Sequence, residues 1–148
     1  IGGLAQVPAL VAALPELPLD ELKVIVKQHV ALTHRHSNVL RAADCLTRLL
    51  RLISEGTPLR EALMTAAGDW FSTKKATGWE SRPDRVIIGT IMSPVCYIDQ
   101  AFPAALYLAW KYHDDLDAAI LANARVGGDS CHRGAVLGSL VAANCVRC

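Results

Sequence analysis

The stretch GGDSCHRGAVLG, residues 127–138, decides the reading of this chain. Its two glycines permit a sharp turn, Asp129 and Ser130 are good helix-capping residues, and Gly134, Ala135, Gly138 and Ala142 continue on helical spacing. The pattern predicts a helix that opens at this turn. Its first turn carries Asp129, Cys131 and His132, three potential metal or proton ligands, where free backbone N–H groups and the helix dipole favour negative charge. An anionic ligand or a metal-bound phosphate suits such a place. Gly134 and Gly138 lie four apart on one helix face and admit a second helix at close range.

Working outward, the rest of the chain reads as helices that supply a core around this turn. Residues 9–14 form a short helix between prolines, and residues 21–33 carry Leu22, Ile25, Val26 and Val30 at spacings of three and four, with Asp20 as a cap. Ser37 caps a longer helix whose face is Leu40, Ala43, Leu46, Leu50 and Ile53 and which stops at Gly56. Thr57-Pro58 opens the next, with Leu59, Ala62, Leu63, Ala66 and Trp70 buried. Periodicity is lost over residues 72–92, which read as a long surface connection; residues 86–91 read as extended or as a helix start. Asp99 caps a helix to about Tyr112 with Pro103 in its first turn, and Asp114 caps another that carries Leu116, Ala119, Ile120 and Asn123. The expectation is an all-α fold of about seven or eight helices in one domain.

Bulk composition agrees and excludes some partners. A chain of 148 residues, 52% hydrophobic and 20% charged, is long enough to bury one sizeable core. A formal net charge of +1, with scattered Lys and Arg, gives no basic stripe for nucleic acid or an anionic membrane. No apolar run approaches the ~20 residues a bilayer span needs. Five cysteines, an odd number without disulfide-framework spacing, point to a reducing, cytoplasmic setting. The chain has no initiator Met and ends on Cys148 directly after a helix, which suggests a piece of something longer.

Three motifs in order, TH-x-H at Thr33 to His36, YIDQAFPAALYLAWKY from Tyr97 to Tyr112, and LANARVGGDSCHRGAVLG ending at Gly138, resemble the C-terminal half of the ADP-ribosylglycohydrolase family. The likeness runs from about Ala5 onward. It implies an all-α orthogonal multi-helix bundle and a hydrolase that removes ADP-ribose from protein side chains or related acceptors by metal-assisted cleavage of an N- or O-glycosidic bond. In that family the GGD turn is followed by an x-Asp-Thr or x-Asp-Ser pattern that binds divalent cations, usually magnesium or manganese. Asp129 matches the first Asp, whereas Cys131 stands at the second and His132 at the hydroxyl. A hard-oxygen set thus becomes one carboxylate, one thiol and one imidazole, which suit a softer metal such as zinc. The family's Thr-Asp-Asp cluster has no counterpart, and Tyr112-His113-Asp114-Asp115 lies in the wrong order to serve. Gly2-Gly3 matches the tail of the family's glycine-rich ligand loop, and His34 matches a histidine near bound ADP-ribose.

The expected site therefore has Asp129, Cys131 and His132 as metal ligands, with His34, Asp99, Gly127, Gly128 and Ser130 binding ADP-ribose or an ADP-ribosylated protein. Simpler roles stand beside these. Asp129 and Asp99 also read as helix caps, Cys131 as a small buried residue or a lowered-pKa nucleophile, and His34-Arg35-His36 as a solvated helix end or a phosphate contact. Trp79 and Tyr97 read as core or loop anchors or as adenine-stacking rings. Cys145 and Cys148 have redox or zinc spacing, or are neighbours on one helix face. Loss of the second Asp and the hydroxyl also fits a catalytically silent binding or structural member. A chain lacking half its bundle would expose an apolar face and self-associate.

Overall fold

The computed structural model describes residues 1–146 and is all-helical over them. Nine helices follow in order among the described residues: α1 (Val7–Ala13), α2 (Leu19–Ala31), α3 (Ser37–Ser54), α4 (Leu59–Ala66), α5 (Thr73–Trp79), α6 (Asp84–Val86), α7 (Ile98–Lys111), α8 (Leu116–Val126) and α9 (Ser130–Cys145). The core lies where α3, α7 and α9 meet, and each of these also packs on α4.

Helix α7 is apolar on nearly every side, with Ala101, Phe102 and every residue from Ala104 to Trp110 buried. Such a helix belongs in an interior. Full burial of a side chain the size of Phe102 or Leu106 contributes about 1.5–3 kcal/mol, which makes α7 the central staff of the fold. Helix α3 has one apolar face, on which Val39, Ala42, Leu46, Leu49 and Ile53 are buried. Helix α9 buries Val136, Leu137, Leu140 and Val141, and lies close to α8 because Gly138 meets Ile120 and Gly134 meets Asn123.

Several helix starts differ from expectation, each for a local reason. Helix α3 is capped by His36, whose Nδ1 accepts from the Asn38 N–H, rather than by Ser37. Helix α8 is capped by Asp115, not Asp114, through an Ala118 N–H at 2.8 Å. Helix α7 starts at Ile98, so Asp99 lies within its first turn and accepts from Asn38 Nδ2 at 2.9 Å instead of capping. Pro103 then lies two residues deeper than expected, past the first turn. Helix α4 ends at Ala66, and Trp70 follows in a turn with its ring edge on Phe102.

The stretch read as a long surface connection folds back as α5, α6 and a kinked turn, Ile87–Ile91, with non-helical backbone at Ile88 and Gly89. Ala76, Ile87 and Ile88 are buried, and Trp79 meets Tyr107 edge-on at 6.1 Å. Side-chain bonds pin the segment to α7 and α4: Trp110 Nε1 of α7 and Arg60 of α4 donate to Glu80, while Tyr107 and Lys111 of α7 donate to Asp84.

Cysteine reactivity offers a check on this packing. Cys45 is fully buried, its thiol donates to the Ala66 carbonyl, and burial pushes its pKa up to about 12. Cys96 and Cys131 are exposed. Iodoacetamide at pH 8 should therefore label Cys96 and Cys131 in the native protein and reach Cys45 only after denaturation, as read by peptide mass spectrometry. Rapid native labelling of Cys45 would contradict the packing of α3 on α4. Cys145 is half-buried, and its expected partner Cys148 lies outside the described residues.

Candidate functional site

Four separated segments converge on a cavity of about 780 Å³ at the rim of the core. Ile1 and Gly2 come from the chain's first turn, His34, His36 and Val39 from the α2–α3 junction, Cys96 to Asp99 from the entry to α7, and Asp129 and His132 from the entry to α9. Of the residues expected in the site, His34, Asp99, Asp129 and His132 are brought together here. Gly127, Gly128, Ser130 and Cys131 do not line the cavity.

The glycine turn builds the site from beneath. Gly127 and Gly128 both have positive φ, +78° and +68°. A Cβ on Gly128 would lie 2.0 Å from the Pro94 carbonyl oxygen, so only glycine lets the two backbones approach. That carbonyl accepts the Asp129 N–H at 3.0 Å, which hangs the start of α9 on the segment leading into α7. Gly128 thus has an architectural role at this junction. Ser130 likewise uses its carbonyl to accept from Asn123 Nδ2.

Arg133, absent from the expected site, holds the same junction from inside. Its side chain is fully buried; Nε donates to Asn123 Oδ1 at 2.7 Å, and the guanidinium reaches the carbonyls of Asn123, Gly127 and Pro94. Burial lowers its pKa from the ordinary arginine value. The carbonyls it meets at the C-terminal end of α8 carry the negative end of that helix dipole. A signal was available in the sequence: Arg133 sits three, four and seven residues before Val136, Leu137 and Leu140, on the buried stripe of α9.

Asp129 and His132 form a pair at the cavity wall. Asp129 caps α9 by accepting the His132 N–H at 3.2 Å, and both carboxylate oxygens lie 3.0 Å from His132 Nδ1. Burial pushes the Asp129 carboxyl up, but the hydrogen bonds from His132's ring and backbone, and the imidazole's charge, together hold it below its ordinary value. The helix cap expected at Asp129 is thus present. With Nδ1 directed at a carboxylate, Nε2 is the ring's remaining donor or acceptor. It faces Gly2 and has no hydrogen-bond partner among the described residues. The pair can accept a hydrogen bond or a proton at that atom.

Elsewhere around the cavity, a Cβ on Gly3 would meet the His34 ring at 2.9 Å, so glycine here lets His34 sit against the chain's first turn. Thr33 Oγ1 lies 2.8 Å from His34 Nδ1. Tyr97 is 73% exposed at the rim, whereas Trp79 belongs to the α5–α7 packing. None of His113, Asp114 and Asp115 lines the cavity.

The donor set does not fit the expected metal centre. Cys131 lies off the cavity, Asp129 is engaged by His132, and among the described residues no group of three or more His, Cys, Asp or Glu side chains gathers to hold an ion. Magnesium prefers oxygen ligands, and Asp129, the one carboxylate of the pair, already faces His132 Nδ1 with both oxygens.

Fold and site together define an all-α domain with a single-ligand-sized cavity where a glycine turn opens its last helix. The chain belongs to the ADP-ribosylglycohydrolase family, whose model matches residues 2–145. No curated protein and no solved structure gives a significant match. The family is one of hydrolases, and no helix of the described residues is long and apolar enough to cross a membrane.

Proposed function

We propose that the chain binds the ADP-ribose portion of an ADP-ribosylated acceptor in the cavity between α3, α7 and α9, as part of a hydrolase that cleaves an ADP-ribosyl N- or O-glycosidic bond. The observation that supports this reading is the convergence of Gly2, His34, Asp99, Asp129 and His132 on one cavity of about 780 Å³. Ligand sites of ~300–1,000 Å³ take molecules of nucleotide size. His132 Nε2, oriented by Asp129, accepts from a ribose hydroxyl. Asp99, held by Asn38, offers its carboxylate to another. His34 and His36 present imidazoles at the same mouth, and Tyr97 supplies a ring face.

No metal-dependent step is included, because the donors present do not fit a complete centre. That mismatch favours a second reading, a binding member of the family without turnover. Calorimetric titration of ADP-ribose, with magnesium, manganese or zinc present and then absent, tests both. Binding is expected without metal, and His132→Ala is expected to weaken it about tenfold, the worth of one hydrogen bond made to a charged or oriented partner. Release of free ADP-ribose from a modified peptide would then separate the hydrolase from the binder. Absence of heat under every condition would sink both readings.

A further inference from the structure

A second cavity, of about 430 Å³, lies between α6 and α8 and has no part in the site described above. Its walls carry Arg85 and Arg125, and its apolar floor includes Leu121, Ala122 and Val126. Neither arginine has a hydrogen bond or an ion pair among the described residues. Other arginines of the fold do find acceptors: Arg41 on Asp69, Arg48 on Asp44, and Arg60 on Glu80.

The one carboxylate in this cavity does not neutralise them. Asp84 Oδ1 accepts from Lys111 Nζ at 2.9 Å and Tyr107 OH at 3.1 Å, and its Oδ2 accepts from Tyr112 OH at 2.6 Å. Lys111 balances its charge, so two positive charges remain unanswered at the wall. The same bonds tie α6 to the end of α7 and fix the Tyr112 ring at the cavity. The Asp84 and Tyr112 side of the cavity is therefore set before any ligand arrives, while both arginine side chains are exposed beside it. Leu121, 49% exposed, is an apolar surface beside the two cations.

We propose that this cavity is a site for a small organic phosphate, with the phosphate between Arg85 and Arg125 and an apolar body on Leu121, Ala122 and Val126. A phosphomonoester dianion matches two guanidinium charges, whereas a carboxylate brings only one, and guanidinium geometry suits phosphate oxygens.

The test is a ¹H–¹⁵N NMR titration of the chain with phenyl phosphate, with inorganic phosphate and phenol as the two halves of the probe. Phenyl phosphate should saturate shifts at residues 85, 121 and 125, more tightly than inorganic phosphate, and phenol should not saturate. Arg85→Gln and Arg125→Gln, both at exposed positions, should each weaken phenyl phosphate about tenfold and leave the melting temperature unchanged. Leu121→Asp should weaken it as well. Shifts that map elsewhere, survive both arginine substitutions, or appear equally with phenol would overturn the proposal. ADP-ribose held in the first cavity should not displace the probe, so failure here and failure of the proposed function are read separately.

Discussion

Gly128→Ala is expected to destabilise the protein by about 3–5 kcal/mol and to abolish ADP-ribose binding, the first sum combining backbone strain with a forced shift of packed backbone. Two costs coincide at this position. Positive φ is unfavourable for any residue with a Cβ. The added atom would also sit 2.0 Å from the Pro94 carbonyl oxygen, and a backbone oxygen has no rotamer by which to escape. The turn has to retreat from Pro94, which breaks the bond from the Asp129 N–H and draws the Asp129–His132 pair away from the α7 entry. Gly127→Ala separates the two costs. Gly127 has φ +78° and ψ −161°, a region close to glycine-only, yet its Cβ would meet nothing within 4 Å. That variant should lose only about 1–3 kcal/mol, the strain alone. Thermal melts of both variants check the difference, and equal losses would show that the Pro94 contact is not what demands glycine at 128.

The legibility of this fold follows how each helix announces itself. Helices α2, α3 and α7 each present several apolar residues at spacings of three and four, and periodicity over that length survives single-residue errors in the cap. Boundaries were less legible because Ser37, Asp99 and Asp114 are good caps by residue type, and which neighbour takes the role depends on where the chain arrives from. His36 caps α3 because the loop from α2 places its ring over Asn38. The 72–92 region failed for a different reason. Helices of seven and three residues, the first carrying Gly78 and the second preceded by Pro83, leave no repeat to detect, and their anchors, Glu80 and Asp84, bind α7 residues far away in sequence.

The site was partly legible in the same way. Asp129 and His132 are neighbours on one helix turn, so spacing alone predicts that they meet. That spacing does not predict that Asp129 would spend both carboxylate oxygens on His132, nor that Cys131, one residue away around the helix, would leave the cavity. At 100° per residue, 131 and 132 face different directions. The gathering of His34 and Asp99 beside them depends on α3 and α7 crossing near α9, which is tertiary information. Gly127 and Gly128 were read as ligand contacts because a glycine pair before a helix serves phosphate binding as readily as close backbone packing. The Pro94 carbonyl accounts for glycine at 128 by packing alone.

Arg133→Met is expected to cost about 3–5 kcal/mol, the range for leaving the partners of a buried, hydrogen-bonded cation unanswered. Methionine keeps much of the aliphatic volume but none of the donors. Four acceptors then lose the guanidinium at once: Asn123 Oδ1 and the carbonyls of Asn123, Gly127 and Pro94, of which Pro94 keeps the Asp129 N–H. These four belong to α8, the glycine turn and the segment before α7, so one side chain joins the three pieces that position Asp129. Lysine does not rescue it, because three donors on one nitrogen cannot span the fork that these acceptors define. The melting temperature should fall by about 10–15 °C, given ~2–4 °C per kcal/mol in a domain of this size. If Arg133→Met still folds at low temperature, its ADP-ribose affinity should be lost, whereas Arg41→Met, which removes an exposed ion pair with Asp69, should change stability by less than about 1 kcal/mol. A drop of only a few degrees for Arg133→Met would mean that water or a rearranged Asn123 satisfies the carbonyls. The turn beneath His132 would then stand on Gly128 and Pro94 alone.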